Sequence, residues 1–135
     1  MPDTTKKQIL ELEIDAVSYS KIGHHTKAES TIKKALELKP RSNHLKHELS
    51  KIHLRSNQYE KALEILLTLP NKTKNREILF KDIGLSYFGM GKLEKALEAS
   101  DVSLSEKQDY VEALTLKGKA LRELERYDEA LVVLD

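Results

Sequence analysis

The sequence contains no cysteine and no tryptophan. The first absence excludes disulfide cross-links, thiolate nucleophiles and cysteine-ligated metal centres, and it suits a reducing compartment. With aromatic residues at 5% of the chain, no set of rings is available as a stacking platform. Proline occurs three times, at Pro2, Pro40 and Pro70, and glycine five times, so little interrupts helix-forming sequence. No apolar run approaches the roughly 18 residues of a membrane span, and the opening MPDTTKKQ lacks the hydrophobic stretch of a secretion signal. An excess of one charge is missing too. The formal net charge is +1, which gives no general attraction to nucleic acid or to membrane surfaces. The expectation is a cytoplasmic protein with neither nucleic-acid nor membrane partners.

Catalytic signatures are equally sparse. The chain has no glycine-rich phosphate loop, no H-E-x-x-H and no G-x-S-x-G. Its Asp and Glu residues follow helix-face spacing, as a solvated surface does. No enzyme activity and no cofactor are expected. Of the five histidines, His44 and His47 could share a helix face, but a metal site needs three or more ligands and His53 lies nine residues beyond His44. His24 and His25 fall in a turn. No metal is expected from the sequence.

What the chain does contain is periodicity. Alanine recurs at Ala28, Ala62, Ala96 and Ala130, always 34 residues apart. Other columns keep the same interval: Ala16, Ser50, Gly84 and Gly118; Tyr19, His53, Tyr87 and Leu121; His25, Tyr59, Leu93 and Tyr127; Ile32, Leu66, Ser100 and Leu134. A fixed period of this length marks stacked helical hairpins. Two helices of a hairpin pack about 8–10 Å apart, and closer where small side chains meet. The small columns therefore place Gly84 against Ala96, and Gly118 against Ala130, at the helix crossings. At 135 residues, with 39% hydrophobic and 33% charged content, the chain is one domain of thin helical layers wetted on two faces.

Local signals fit helices near 6–22, 26–38, 43–56, 59–69, 76–89, 93–104, 110–124 and 127–135. Thr5-x-x-Gln8 and Thr26-x-x-Glu29 fit capping boxes. Gly23, Asn57 and Gly91 fall at hairpin turns, where a residue tolerant of positive φ ends a helix, and Glu125 takes that place in the last repeat. Pro70 predicts an early end to the fourth helix, followed by a basic connector with Lys72, Lys74 and Arg76.

These residues resemble the tetratricopeptide repeat family, whose 34-residue unit is a helix, a tight turn and a second helix. Repeats then run 9–42, 43–76, 77–110 and 111–135 (truncated), after a leader at 1–8. The third matches the family at Phe80, Ile83, Gly84, Tyr87, Gly91, Leu93 and Ala96. The first matches at Ala16, Tyr19, Gly23, Ala28, Ile32, Ala35 and Pro40. The resemblance implies an all-α fold, a right-handed superhelical solenoid of stacked antiparallel hairpins with four repeats, the last incomplete. Departures are Asp15 and Lys117 at a leucine position, Lys46 at a large-residue position, and Ser100 and Ser103 at apolar positions. The serines predict a helix that docks less firmly on the fourth repeat. Leu131 and Leu134 lack a following helix, which predicts a fragment of a longer protein, a homodimer through the C-terminal repeat, or both.

In the family, first helices line a concave groove. Carried over, the lining residues are Leu10, Glu13, Val17, Ser20 and Lys21; His44, His47, Lys51, Leu54 and Arg55; Ile78, Lys81, Leu85, Phe88 and Gly89; Glu112, Thr115, Lys119, Arg122 and Glu123. Six Lys and Arg face three Glu there, on a chain of net charge +1. The sharpest element is His44, His47, Lys51 and Arg55, which form one helical stripe. With Leu54, Leu85 and Phe88 as apolar anchors, and Lys81, Lys119 and Arg122 as further cations, the implied partner is a protein or peptide with acidic and apolar residues. A solvated charged face is the plainer reading of the same residues. The family's carboxylate clamp for chaperone tails needs Lys, Asn, Asn, Lys and Arg. Set on the first repeat those positions hold Glu13, Val17, Glu48, Ile78 and Asp82; set on the second they hold His47, Lys51, Asp82, Glu112 and Leu116. Neither set fits. The leading function is a protein-interaction scaffold. The alternatives are a regulatory or substrate-recruiting domain of a larger enzyme, a self-assembly module, and RNA binding as in pentatricopeptide repeats. The last is disfavoured by the 34-residue spacing and the low net charge.

Overall fold

A computed structural model describes residues 3–72 and 74–134. Pro2 and Asp135 lie outside the described residues, as does the side chain of Leu134. Among the described residues the chain forms eight α-helices and no strand: α1 (Asp3–Lys21), α2 (His25–Leu38), α3 (Asn43–Arg55), α4 (Tyr59–Leu66), α5 (Arg76–Gly89), α6 (Leu93–Glu106), α7 (Val111–Glu123) and α8 (Tyr127–Leu134). They fall into two compact units, Met1–Leu69 and Pro70–Asp135. In the first, α1 pairs with α2 and α3 with α4, while α2 and α1 both touch α3. The second repeats the plan: α5 pairs with α6, α7 with α8, and α6 and α5 touch α7. No helix is long and apolar enough to cross a membrane.

All four hairpin turns are the same object. In each, the N–H of the third residue past the helix end reaches back to a carbonyl five residues earlier: His24 to Tyr19 (2.9 Å), Gln58 to His53 (2.8 Å), Lys92 to Tyr87 (2.9 Å) and Arg126 to Leu121 (2.8 Å). The preceding N–H bonds a carbonyl three residues back, from Gly23 to Ser20, Asn57 to Leu54, Gly91 to Phe88 and Glu125 to Arg122. This is the Schellman closure, which satisfies orphan carbonyls and needs a left-handed residue at the turn. Gly23, Asn57, Gly91 and Glu125 all have positive φ, between 60° and 88°. The next helix starts from the same turn, because the recurring alanines donate their N–H to His24, Gln58, Lys92 and Arg126 at 3.0–3.1 Å. The tyrosine column and the alanine column are thus hydrogen-bonded to one three-residue turn from opposite sides.

The small columns sit at the crossings. Ala16, Ala28, Ser50, Ala62 and Ala96 have no exposed surface. A Cβ added to Gly84 would lie 2.7 Å from Leu116 Cδ2, and 3.4 Å from both the Ala96 carbonyl oxygen and Ala99 Cβ. That is the expected pairing of Gly84 with Ala96, with α7 closing over it. In the first unit Ile32, Ala35, Leu45, Leu49 and Ile52 pack around Ala16 and Ala28, with Ile9, Leu12 and Tyr19 against them. In the second, Leu97, Leu121 and Ala130 pack with Leu124 and Val133.

The structure corrects several local expectations. Thr5 and Thr26 lie inside α1 and α2 and do not form capping boxes: α2 begins at His25, and its N-cap, His24, makes no side-chain cap bond. The side-chain cap that does form was not foreseen, Ser42 Oγ accepting from the Leu45 N–H at 3.1 Å. α4 ends at Leu66, three residues before the expected end and ahead of Pro70. There Thr68 Oγ1 donates to the Ile65 carbonyl at 2.6 Å, and tighter three-residue turns from Thr68 and Leu69 finish the segment. Arg76 belongs to α5 rather than to a connector, with its guanidinium 4.8 Å from the Phe80 ring centroid and ion-paired to Glu106.

The departures from the family pattern are accommodated in different ways. Asp15 is simply exposed, and Leu12 takes the core position. Lys117 is half-buried with its ammonium 2.7 Å from Asp101 Oδ1, so its stem covers apolar surface while its charge stays at the edge. Ser100 and Ser103 are fully buried, and α6 packs along α7 despite them. Their hydroxyls donate to the carbonyls of Leu97 (2.8 Å) and Glu77 (2.7 Å), so neither is left unsatisfied and Ser103 ties α6 to α5. His53, in the tyrosine column, is buried, and its Nδ1 donates to Gln58 Oε1 at 2.8 Å across the turn.

Two sets of substitutions test this account. Ala96→Leu forces a branched side chain into the crossing and is expected to cost about 1–3 kcal/mol, read as a lower denaturant midpoint with unchanged slope. At the turns, Gly91→Ala should lose about 1 kcal/mol because its φ is +76°. Glu125→Gly should run the other way and gain about 0.5–1 kcal/mol by relieving a left-handed glutamate. A loss of stability in Glu125→Gly would contradict the turn assignment.

Candidate functional site

The charged first-helix residues expected to form the binding wall fall on α1 and α3 in the first unit and on α5 and α7 in the second. In the first unit α3 carries His44, His47, Lys51 and Arg55, and its neighbour on that face is α1. Contact between α1 and α3 brings Glu13 to the stripe, and α3 itself supplies Glu48. His44 Nε2 donates to Glu13 Oε2 at 2.7 Å, and Lys51 Nζ stands 3.3 Å from Glu48 Oε1. Arg55 is exposed and uses Nη1 to donate to the buried Ser20 Oγ at 3.3 Å. His47 and Leu54 are half-buried. The stripe is therefore a row of charges interlocked with Glu13 and Glu48, rather than a uniform basic strip.

In the second unit Lys81 is mostly buried, its ammonium 2.6 Å from the carboxylate of Asp82, which is almost wholly buried. Leu85 and Phe88 are half-buried on the same helix. Lys119 and Arg122 project from α7 into solvent, with Arg122 4.0 Å from Glu123. The structure brings His44, Lys51 and Arg55 together on α3 and places Lys81, Leu85 and Phe88 along α5. Lys119 and Arg122 stand on α7, in the same unit as α5.

Three residues were overlooked at the sequence level. Glu48 is four residues after His44, a helical spacing that puts them on one face, and this signal was available. Asp82 looked like one of many surface acids, and only the packing of α5 reveals its burial. Tyr110 caps the start of α7, half-buried and near Glu77, Asp82 and Glu112. Burial first, and then those three negative charges, push its phenol up to about 12. The second unit thus has an acidic surround at Tyr110 as well as its cations. A raised folded value makes Tyr110 favour folding fully below the ordinary tyrosine range near 10, with that contribution lost as pH rises from about 10 to about 12. Alkaline unfolding should therefore steepen across that window and flatten in Tyr110→Phe. Ultraviolet titration should find one tyrosine ionising last, and its absence from the spectrum of Tyr110→Phe would assign it.

Comparison with known proteins gives the fold its place. A family model described as tetratricopeptide repeat matches residues 23–81. Human tetratricopeptide repeat protein 13 is 29% identical over 103 residues, which is 76% of this chain but only 12% of that protein. The chain thus spans about an eighth of the length of that curated relative. Among solved structures, the MamA segment running from position 41 to the end, from Desulfovibrio magneticus RS-1, aligns with a TM-score of 0.83 at 19% identity, covering 93% of this chain and 71% of that one. The first TPR of Spaghetti (RPAP3), bound to the HSP90 peptide SRMEEVD, gives 0.76 at 18% identity and covers 88% and 94%. The Sgt2 TPR domain from Aspergillus fumigatus gives 0.76 at 17%, covering 90% and 82%. These likenesses agree with the all-α helical-repeat solenoid read from the periodicity. Four Schellman turns of the same form and small residues at the crossings agree with the match over residues 23–81, and they make this chain similar in fold and repeat length to the tetratricopeptide repeat family.

Proposed function

We propose that the chain is a protein-interaction scaffold that holds a peptide or partner segment bearing acidic and apolar residues. Repeats 9–42, 43–76, 77–110 and 111–135 act together as one domain in this reading, in a cytoplasmic setting. The observation that carries it is the α3 row of His44, His47, Lys51 and Arg55, with Leu54 beside it. Lys81, Lys119, Arg122, Leu85 and Phe88 extend the same chemistry on α5 and α7. The pairing of His44 and Lys51 with Glu13 and Glu48 favours selectivity over raw affinity: an incoming carboxylate has to replace an existing one, so the exchange is close to neutral and geometry decides. Arg55, exposed and with further N–H donors, is the natural first contact. The fold neighbour RPAP3 is seen with an acidic peptide, which supports the class of partner. The clamp positions here hold Glu13, Val17, Glu48, Ile78 and Asp82, so the same peptide is not the expected ligand.

The test is a fluorescence-anisotropy screen of acidic–apolar peptides, with SRMEEVD as a reference. Peptides rich in Glu and Leu should bind, SRMEEVD should bind weakly or not at all, and Lys51→Glu with Arg55→Glu should abolish the signal. Unchanged affinity in that double variant would retire the stripe as the binding element. A second reading rests on a different observation. Tyr127, Leu131 and Val132 of α8 are 57%, 61% and 77% exposed, an apolar face suited to a second copy of the chain. Light scattering of the same samples over a concentration series separates it, since a mass that rises with concentration favours self-assembly. A role as the recruiting domain of a larger enzyme is compatible with either surface.

A further inference from the structure

The contact between α1 and α3 gathers more than an ion pair. His44 and Glu48 stand one turn apart on α3, and Glu13 reaches them from α1. One donor atom of each, the imidazole nitrogen and two carboxylate oxygens, lies within 4.8 Å of the other two. We propose that Glu13, His44 and Glu48 form a binding site for a divalent transition-metal ion, zinc foremost. This goes beyond the peptide-binding reading and does not depend on it.

The chemistry favours a cation there. Two carboxylates brought this close repel each other, and Glu48 is only 12% exposed, so neither is fully relieved by water. Lys51, at 3.3 Å from Glu48, offsets one negative charge and leaves the group net negative. A nitrogen and two oxygens are accepted by zinc, with its bonds of about 2.0–2.2 Å, whereas magnesium and calcium favour all-oxygen sets. Ligands around a tetrahedral ion of that size stand about 3.3 Å apart. The 2.7 Å His44–Glu13 contact must therefore open slightly while Glu48 closes in, a rearrangement of side chains alone. The neutral ring offers its Nε2 lone pair once its proton sits on Nδ1. His44 is 65% exposed, so the ion has an entry path and the remaining positions can be taken by water. The bound ion would staple α1 to α3, the first helices of the first two repeats, and so fix the spacing of the wall they form.

Isothermal titration of the intact chain with zinc chloride, paired with thermal unfolding, tests this. The expected result is one saturable ion per chain and a higher Tm in its presence. His44→Ala, Glu13→Gln and Glu48→Gln should each weaken binding by about tenfold or more, and circular dichroism should show the variants folded. Lys51→Met should tighten binding, since it removes the competing ammonium, and a site elsewhere would not respond that way. His24→Ala should leave binding unchanged, and calcium should not compete. Absence of saturable binding, or an affinity indifferent to Glu48→Gln, would overturn the proposal.

Discussion

The structure depends on one constraint: each hairpin must close through a left-handed residue while its two helices meet at small side chains. The turn bonds from His24, Gln58, Lys92 and Arg126 hold the end of the first helix. The bonds those same residues receive from Ala28, Ala62, Ala96 and Ala130 start the second. One three-residue turn thereby sets both the direction of the second helix and which of its faces looks back. Once that is fixed, the apolar residues that follow each alanine have little choice but the core. Hydrophobic burial supplies the stability, and the turn supplies the geometry in which that burial is possible.

The electrostatics of the wall follow from the same packing. First helices in contact, α1 with α3 and α5 with α7, bring side chains from different repeats within reach of one another. A surface that reads as basic residue by residue becomes a set of local exchanges, with Glu13 on His44 between α1 and α3, and Glu48 on Lys51 and Asp82 on Lys81 each within one helix. Such pairs add little stability where they are exposed. Their value lies in holding long side chains in one orientation, which lowers the ordering cost of a partner that engages them.

Much of this was legible in the sequence because it repeats. Ala28, Ala62, Ala96 and Ala130 gave the period, Gly84 and Ala96 gave the crossing, and Gly23, Asn57, Gly91 and Glu125 gave the turns. The helix boundaries fell within three residues, and at α4 the hydroxyl of Thr68 and tight turns end the helix before Pro70 does. The capping boxes failed because Thr5 and Thr26 match a local pattern that the turn bonds override. What was illegible is what packing alone decides. Asp15 looked like a misfit in the core and is outside it, while Asp82 looked like surface and is inside. The pairing of Glu13 with His44 joins residues 31 apart in sequence, so no local window contains it.

The spacing between helices carries a further consequence. Every hairpin turn is three residues long, at 22–24, 56–58, 90–92 and 124–126, whereas the links between hairpins are four, nine and four residues long. A single insertion inside a turn would rotate the following helix by about 100° and swing its alanine out of the crossing. The links carry no such phase requirement. α4 is six residues shorter than α2 and the nine-residue link after it takes up nearly all the difference, so α5 still starts within one residue of its register. Length variation in this chain is thus confined to alternate joints, and descendants of this sequence should lengthen or shorten there while the intervening corners keep their count.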